Sequence, residues 1–331
     1  MTARPSDKSR EHRHPASGGI DQRAQQIDPA GHHRLDLNAS AKGTMKQPGR
    51  VEARDEDRSG TMTTIAPSAR RELRTGRTMP LIGLGTWGMG EDVARVVDDA
   101  LRADYAMIDT ARDYGSQPGI GDALRGAAAR RDQVYVVTKI EEADNPREAV
   151  ENDLKVLRLD HADLTLIHRP PPNGVGERLW EGLAAIRDEG LVRDIGVSNY
   201  SVAQIDKLIE ATGEVPAVNQ IEWSPFGHSS ALQAHHQTLG ILIMAYSPLT
   251  RGQRLNDPVL RDIAATKNRS PAQVLLRWNL QRGTVPIPKS SSADHVVENF
   301  ALFDFFLSGD DMERLDELNE GWSALGGLSY A

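Results

Sequence analysis

The chain has no cysteine among its 331 residues. Disulfide bonds, thiolate nucleophiles and zinc sites built from cysteine are therefore excluded. The chain also has no apolar run approaching the roughly 18 residues of a membrane-spanning helix, and no apolar signal-peptide core follows Met1. We expect a cytoplasmic protein without a membrane partner.

Positive charge is also scarce. Lysine and arginine number 39 against 47 aspartate and glutamate residues, which gives a formal net charge of -8. An acidic chain repels the phosphate backbone of nucleic acids and the headgroups of anionic lipids. We therefore expect neither as a partner and look instead for a small-molecule ligand.

The first 65 residues differ in composition from the rest of the chain. They are rich in Arg, Asp, Gly, Pro and Ser and contain almost no apolar clusters, which predicts a disordered N-terminal tail. Four histidines lie in this tail, at His12, His14, His32 and His33. Because no rigid frame would hold them together, we interpret them as scattered polar residues rather than as a metal site.

From about residue 70 the pattern becomes that of a folded α/β domain. A short hairpin is predicted around Thr75 and Gly76. Eight apolar, β-branched runs follow and alternate with stretches of helical periodicity. The runs are LIGLG (81–85), AMIDT (106–110), VYVVTK (134–139), LTLIH (164–168), DIGVSN (194–199), VNQIEW (218–223), ILIMAYS (241–247) and VPIPKS (285–290).

Eight strands with intervening helices over about 250 residues predict a (β/α)8 TIM barrel, forming a single domain over residues 70–331. The last interval is the longest, and an extra loop and helix are expected near TRGQRLNDPVLRDIAA. A doubly wound sheet is the competing architecture. The barrel is favoured because polar residues follow nearly every strand rather than one switch point.

Three glycines after the first strand match a dinucleotide-binding pattern. Gly83, Gly85 and Gly88 form G-x-G-x-x-G, and Asp109 lies about 20 residues further on. The match is weak, because glycines are common in strand-to-helix turns and Asp109 belongs to a set of other polar residues at strand ends. We interpret the glycines as letting the backbone pass close to a flat ligand.

That set lies at the ends of three successive strands and comprises Asp109, Tyr114, Lys139 and His168. A parallel barrel collects such residues at the rim that carries its active site. A tyrosine has a pKa of about 10, which a nearby ammonium lowers, and an aspartate keeps that ammonium charged. We therefore predict that Tyr114 donates a proton, that Lys139 lowers the pKa of the Tyr114 phenol, and that Asp109 keeps Lys139 charged. A structural Asp109–Lys139 salt bridge beside an ordinary surface tyrosine is the alternative.

His168 ends an almost wholly apolar strand, where a lone histidine is commonly a core residue. Beside Tyr114 it is instead suited to hydrogen-bond a carbonyl oxygen and orient it. We predict no metal site, because no second histidine lies at ligand spacing from His168. The absence of a G-x-S-x-G motif argues against a serine nucleophile.

The remaining strand ends supply groups that suit a nicotinamide cofactor. Amide and hydroxyl groups of Ser198, Asn199 and Gln220 match a carboxamide, and the ring of Tyr246 suits a heteroaromatic face. After the last strand, a cation and two hydroxyls offer a phosphate site, with an acidic and an amide residue about one helical turn further on. These residues are Lys289, Ser290, Ser291, Glu298 and Asn299.

Taken in order, eight motifs resemble the aldo-keto reductase superfamily, and within it the bacterial diketogluconate-reductase-like branch. They are MPLIGLGTWG, IDTARDYG, VVTK, LIH, GVSNY, NQIEW, AYSPL and IPKSS. The resemblance spans about residues 70–320. It implies metal-free, NAD(P)H-dependent reduction of aldehydes and ketones by a monomer with a (β/α)8 barrel.

The resemblance also implies roles for individual residues. Asp109, Tyr114, Lys139 and His168 would form the catalytic tetrad. The cofactor would be bound by Gly85, Thr86, Ser198, Asn199, Gln220, Tyr246, Ser247, Pro248, Leu249, Lys289, Ser290, Ser291, His295, Glu298 and Asn299. The substrate pocket would be lined by Trp87, Arg169 and Trp223, and closed by the 249–256 loop and the 320–331 tail.

Three departures from the family pattern bear on specificity. His295 replaces an arginine that grips the 2′-phosphate of NADPH, so we expect NADPH as cofactor with NADH also usable. Arg169 replaces a tryptophan after the catalytic histidine, which suggests an anionic or hydroxylated substrate unless Glu141, Glu142 and Asp144 neutralise it. Ser116 and Gln117 replace an Asn-Glu pair beside the second loop.

The sequence therefore predicts an NAD(P)H-dependent oxidoreductase that reduces aldehydes and ketones to alcohols with Tyr114 as general acid. A second class of function stays open. In that alternative, the protein is a catalytically weak NADP(H)-binding regulatory or redox-sensing protein on the same fold. An intact tetrad argues against it, because a sensor has less need of a tuned acid.

Overall fold

The computed structural model describes residues 66–126 and 131–330. The predicted tail, residues 1–65, lies outside the described residues. A hairpin comes first, formed by β1 (Arg70–Glu72) and β2 (Thr78–Pro80), which pair antiparallel. Its turn contains Gly76 at φ +81°, a conformation that glycine adopts without strain. The predicted hairpin is therefore present at the predicted turn.

Eight parallel strands follow and form one sheet whose neighbours are consecutive along the chain. They are β3 (Leu84–Gly85), β4 (Met107–Asp109), β5 (Tyr135–Ile140), β6 (Ala162–Ile167), β7 (Val192–Ser198), β8 (Val218–Glu222), β9 (Leu242–Tyr246) and β10 (Val285–Pro286). The first and last strands also meet, because Gly83 N donates to Pro286 O at 3.1 Å and Gly85 N donates to Pro288 O at 3.0 Å. The sheet thus closes into the predicted (β/α)8 barrel.

The described residues form ten α-helices. They are α1 (Val93–Arg102), α2 (Gln117–Leu124), α3 (Pro146–Leu157), α4 (Glu177–Asp188), α5 (Val202–Thr212), α6 (Ser230–Leu239), α7 (Pro258–Lys267), α8 (Pro271–Gln281), α9 (Ala293–Phe300) and α10 (Gly309–Asp316). The pair α7 and α8 occupies the long last interval, which confirms the extra helix expected there. Within the described residues, none of these helices is long and apolar enough to cross a membrane.

Local sequence signals explain the helix boundaries. Asn145 caps α3 by accepting from Arg147 N and Glu148 N, and proline at the first position fits the backbone there. A capping box starts α5, in which Ser201 and Gln204 satisfy each other's backbone N–H groups. The helices bury one apolar face against the barrel, as α1 does with residues three and four apart.

The hairpin closes the bottom of the barrel. Leu73 and Met79 are buried in one cluster with strand residues that point into the barrel, among them Met107 and Val218. Because the N-terminal end is filled in this way, the open end is the rim where the strands terminate. That rim is where the predicted functional residues lie.

Two of the three glycines of the G-x-G-x-x-G pattern, Gly83 and Gly85, lie where β3 packs against neighbouring strands of the barrel rather than in a Rossmann phosphate loop. A Cβ added at Gly85 would lie 2.8 Å from Ile287 O, and one at Gly83 would lie 2.6 Å from Met107 Cε. Both glycines therefore allow β3 to approach its neighbours closely. Their role in admitting a flat ligand stays a prediction.

Candidate active site

A cavity of about 890 Å³ opens at the C-terminal rim of the barrel. Its volume lies in the range of small-molecule sites. Fifteen of the residues predicted from the sequence line it: Gly85, Thr86, Trp87, Asp109, Tyr114, His168, Arg169, Ser198, Asn199, Gln220, Tyr246, Ser247, Pro248, Leu249 and Lys289. The barrel thus gathers residues that are far apart in the sequence into one site.

The floor of the site is a buried ion pair. Lys139 Nζ lies 2.9 Å from Asp109 Oδ1 and 3.0 Å from Asp109 Oδ2, and it also donates to Thr110 O at 3.0 Å. The two side chains are 0% and 3% exposed. Burial is the largest single influence and lowers the pKa of Lys139, but the charge and hydrogen bonds of Asp109, together with Tyr114, outweigh it. The pKa of Lys139 is therefore raised and the ammonium stays charged.

Tyr114 lies against this ion pair, with Lys139 Nζ 4.9 Å from the centre of its ring. Burial raises the pKa of the Tyr114 phenol, and the charge of Lys139 lowers it by less than burial raises it. The predicted acidification of this phenol by Lys139 therefore does not lower its pKa below that of a free tyrosine, and the role of Tyr114 as proton donor stays a prediction. The lysine acts in the predicted direction, but desolvation outweighs it, and the phenol stays protonated.

A buried network of hydrogen bonds supports the ion pair. Gln220 Nε2 donates to Asp109 Oδ1 at 2.7 Å, and Ser198 Oγ donates to Gln220 O at 2.8 Å. Thr86 Oγ1 donates to Asp109 O at 2.8 Å. The sequence assigned Gln220, Ser198 and Thr86 to cofactor binding alone, and the structure adds a bracing role for each of them.

Asn199 lies at the centre of the rim in a left-handed conformation, φ +67°, which asparagine tolerates better than most residues. Its Nδ2 donates to His168 O at 3.0 Å and to Ser198 Oγ at 3.1 Å. Its Oδ1 accepts from Tyr246 OH at 2.8 Å and from Ser329 Oγ at 3.0 Å. The amide is therefore held rigidly at the rim.

His168 is nearly buried and borders two carboxylates. Its Nδ1 is hydrogen-bonded to Glu141 and lies 3.8 Å from Asp113 Oδ2. Its ring meets the Tyr114 ring edge-on, with centres 5.9 Å apart. Nothing in the sequence spacing indicated that Glu141 faces His168, since that contact depends on how β5 and β6 align.

The three side chains Asp113, Glu141 and His168 are also a possible metal-ligand set. Their ligand atoms lie within 4.8 Å of one another. The Nδ1 of His168 is already engaged with Glu141, and this hydrogen bond lowers the pKa of Glu141. Burial and the neighbouring Glu141 raise the pKa of Asp113. The predicted absence of a metal stays a prediction.

The predicted phosphate region is more exposed. Lys289 lines the cavity, and its Nζ donates to Ser291 Oγ at 3.0 Å. His295 is exposed on the first turn of α9. Arg95 of α1 donates to Ser291 O at 3.1 Å, so a guanidinium that the sequence did not single out lies beside this loop. Ser290, Ser291, His295, Glu298 and Asn299 do not line the cavity.

Two segments form the walls above the rim. The 249–256 loop presents Arg251, whose guanidinium stacks over the Trp87 ring at 4.5 Å. The C-terminal segment is held by the buried carboxylate of Glu222, which accepts from Ser323 Oγ at 2.6 Å and from Ala324 N at 2.7 Å. These contacts agree with the expectation that both segments close the pocket.

Trp223 does not take the predicted place in the pocket wall. It is fully buried, is not among the residues that line the cavity, and packs against Tyr330 and His228. The residue before it, Glu222, turns to the C-terminal segment instead. Because successive strand residues point to opposite sides, Trp223 shares the side of Ile221, and both belong to the apolar cluster that also contains Trp278 and Tyr330.

Comparisons with known proteins agree with this geometry. The model of the Aldo/keto reductase family matches residues 81–320. Methylglyoxal reductase DkgA of Salmonella typhimurium is 37% identical over 256 residues, which cover 75% of this chain and 93% of that protein. An aldo-keto reductase of Mycolicibacterium smegmatis is 40% identical over 260 residues, covering 77% and 94%. The crystal structure of a Bombyx mori aldo-keto reductase in complex with NADP superposes with a TM-score of 0.73 at 33% identity, covering 78% and 95%.

Proposed function

Because this chain belongs to the aldo/keto reductase family and is an NAD(P)H-dependent oxidoreductase, we propose that it reduces small aldehydes and ketones to alcohols with Tyr114 as the general acid. The observation that carries the proposal is the position of Tyr114. Its phenol lies in the cavity between the buried ammonium of Lys139 and the imidazole of His168.

The residues of the cavity fit a nicotinamide cofactor. Asn199, Ser198 and Gln220 offer amide and hydroxyl groups at one end, beside the ring of Tyr246, while Lys289 offers a cation at the other. When bound, the reduced nicotinamide supplies a hydride to the carbonyl carbon. The chain's own task is to orient that carbonyl and to supply a proton to its oxygen.

Tyr114 supplies the proton. Because burial keeps its pKa raised, the phenol is fully protonated at neutral pH and is ready to act as a donor. After the transfer, the phenolate is stabilised by the ammonium of Lys139, which Asp109 keeps charged. The ion pair thus acts by stabilising the phenolate that forms after the proton transfer. It does not make the phenol acidic before the transfer.

NADPH is the proposed cofactor, with NADH also accepted. The predicted phosphate site has one cation, Lys289, and this residue lines the cavity. Its ammonium also donates a hydrogen bond to Ser291 Oγ. His295 is exposed and brings no permanent charge. This arrangement supports weak binding of the 2′-phosphate, and therefore only a modest preference for NADPH over NADH.

For the substrate we propose a small carbonyl compound, and methylglyoxal is a suitable first candidate because relatives are named methylglyoxal reductases. Arg169 lines the cavity and favours an anionic or hydroxylated group, but the carboxylates of Asp113 and Glu141 face it and offset its charge. We therefore propose a polar substrate without a strict need for a carboxylate.

The test is NADPH oxidation by the purified chain with methylglyoxal and with 4-nitrobenzaldehyde, together with identification of the alcohol product. The proposal requires a stoichiometric alcohol for each NADPH consumed. Tight NADPH binding with no turnover of either aldehyde would favour the regulatory alternative. The predicted monomer is checked separately by the mass of the protein in solution.

A further inference from the structure

A second cavity, of about 460 Å³, lies at the N-terminal end of the barrel, opposite the rim that carries the candidate active site. One wall is the hairpin, which contributes Arg70 and Arg77, and the other is formed by the starts of β5, β6 and β7, which contribute Tyr135, Asp163 and Asp194. We call it the lower cavity. Its volume lies in the range of small-molecule sites.

Two polar side chains of the lower cavity point toward the barrel interior. Tyr135 lies opposite Met107 in the sheet, and Asp194 lies opposite Leu164. Paired residues of neighbouring strands face the same side, and both Met107 and Leu164 belong to the buried cluster inside the barrel. Tyr135 and Asp194 are 6% and 1% exposed, so the protein surrounds both side chains almost completely.

One polar atom of each side chain has no hydrogen-bond partner within the described residues. These atoms are the hydroxyl oxygen of Tyr135 and Oδ2 of Asp194. The other oxygen of Asp194, Oδ1, faces the half-exposed guanidinium of Arg77 at 3.5 Å, which is a long contact. Buried polar groups in folded proteins are almost always hydrogen-bonded, so two such atoms beside one cavity indicate a group that the cavity receives.

Both groups lower the stability of the fold as they stand. Burial raises the pKa of Asp194, and the hydroxyl of Thr75 and the charge of Arg77 offset only part of this effect. Burial and the charges of Asp194 and Asp163 raise the pKa of Tyr135, so its phenol stays protonated. A carboxylate oxygen without a donor and a hydroxyl without an acceptor break the rules of a stable core, and such breaks are expected at functional sites.

The charges around the lower cavity favour a neutral ligand. Three arginines and three aspartates are among the described residues that line it, and their formal charges cancel. Arg193 and Asp163 neutralise each other at 3.1 Å. A phosphate or a carboxylate would meet Asp194 with like charge, and an ammonium would leave the phenol hydrogen of Tyr135 without an acceptor.

A hydroxyl group suits both partnerless atoms, because it donates one hydrogen bond and accepts others. The guanidinium groups of Arg70, Arg77 and Arg193 are exposed donors on the walls, so further hydroxyls of the same ligand would also have partners. We propose that the lower cavity is a second binding site, which takes a small neutral polyhydroxy compound, a sugar or a polyol, through a hydroxyl held between Tyr135 and Asp194. This site goes beyond the reductase function, because it lies at the other end of the barrel and its occupancy is measured without turnover.

The first experiment follows the tyrosine rings of the full chain in ¹H–¹³C spectra during titration with sorbitol and with D-glucose. The chain has six tyrosines, and Tyr135→Phe identifies the signal of Tyr135. We expect that signal to shift saturably, while the signals of Tyr114 and Tyr246, which line the rim cavity, stay in place. Titration to about 100 mM detects dissociation constants up to about 10 mM.

Two results of this titration would overturn the inference. One is a Tyr135 signal that neither sorbitol nor D-glucose moves. The other is a signal that moves with inorganic phosphate or with glycine but not with the two neutral compounds, since the ligand would then be charged.

The second experiment removes the acceptor. We expect Asp194→Leu to weaken sorbitol binding by about two- to tenfold, the contribution of one hydrogen bond, as measured on the Tyr135 signal. Asp206→Leu, at an exposed pair with His235 on α5, is the control and should leave the affinity unchanged. Equal affinities for the two variants would contradict the proposed site.

The third experiment removes only the hydroxyl of Tyr135 and keeps the ring. Without added sugar, we expect Tyr135→Phe to leave the urea unfolding midpoint unchanged or to raise it, because no hydrogen bond is lost. Tyr200→Phe is the matched control and should lower the midpoint, because the Tyr200 hydroxyl donates to Val175 O at 2.9 Å. An equal drop in both variants would show that the Tyr135 hydroxyl is already satisfied within the protein and would overturn the inference.

Discussion

Asp109 Oδ1 lies 2.9 Å from Lys139 Nζ and 2.7 Å from Gln220 Nε2, so one buried carboxylate oxygen accepts from two strands on opposite sides of the barrel. Asp109 belongs to β4 and Lys139 to the adjacent β5, whereas Gln220 lies four strands away on β8. The tetrad is therefore braced across the barrel interior and not only by neighbouring strands.

Replacing Gln220 with leucine should weaken this brace. We expect Gln220→Leu to lower the free energy of unfolding by about 1–3 kcal/mol, because a buried carboxylate loses a donor. Urea unfolding measures the change. The matched control is Gln237→Leu at an exposed site on α6, expected within about 0.5 kcal/mol of the wild type. Equal stabilities for the two variants would contradict the bracing role.

Restoring a guanidinium at position 295 should change the cofactor preference. We expect His295→Arg to raise the ratio of NADPH to NADH affinity by about 10-fold or more, since a charge-assisted bond to the 2′-phosphate contributes about 1.5–3 kcal/mol. Cofactor dissociation constants measure the effect, and Val297→Arg on the same helix is the control. A hundredfold NADPH preference in the unaltered protein would contradict the proposed weak grip.

Arg169 should affect which aldehydes are favoured. We expect Arg169→Trp to lower kcat/KM for a carboxylated aldehyde relative to a neutral one by about two- to fivefold, a small effect because Asp113 and Glu141 offset the charge. The ratio of kcat/KM for glyoxylate and for 4-nitrobenzaldehyde measures it. The control is Arg147→Trp, at an exposed salt bridge with Glu151 on α3, which should leave that ratio unchanged. An unchanged ratio in Arg169→Trp would exclude a role of Arg169 in substrate selectivity.

Glu222 should hold the C-terminal segment over the cavity. In Glu222→Leu no acceptor remains, so the hydrogen bonds from Ser323 Oγ and Ala324 N are both lost. We expect faster proteolysis of the segment and a higher KM for the aldehyde, with little change in kcat. Glu210→Leu, at an exposed position of α5 away from both segments, is the control. Equal proteolysis of both variants would count against the clamp.

The sequence was sufficient for the fold and for most of the residues that line the cavity. The apolar runs correspond to the eight barrel strands, and the polar residues after them, such as Asp109 and Asn199, reach one rim because parallel strands end at the same edge. These features depend on local periodicity and on the resemblance of ordered motifs. Both can be read from the chain without knowledge of contacts.

Contacts that depend on register or on desolvation could not be predicted in this way. Glu141 meets His168 because Ile140 aligns with Ile167, and no local pattern fixes that alignment. The raised pKa of Tyr114 reflects a burial that only the packed site defines. The position of Trp223 depends on contacts that are distant in the sequence. The residue before it, Glu222, accepts hydrogen bonds from Ser323 and Ala324, about a hundred positions away.

The central claim is that Tyr114 protonates the reduced carbonyl, and Tyr114→Phe tests it most directly. The ring and its packing remain while the acidic hydroxyl is removed. We predict that this variant binds NADPH as tightly as the wild type, by fluorescence titration, while kcat for 4-nitrobenzaldehyde falls by about 100-fold or more. Retention of wild-type kcat with unchanged NADPH binding would contradict the account.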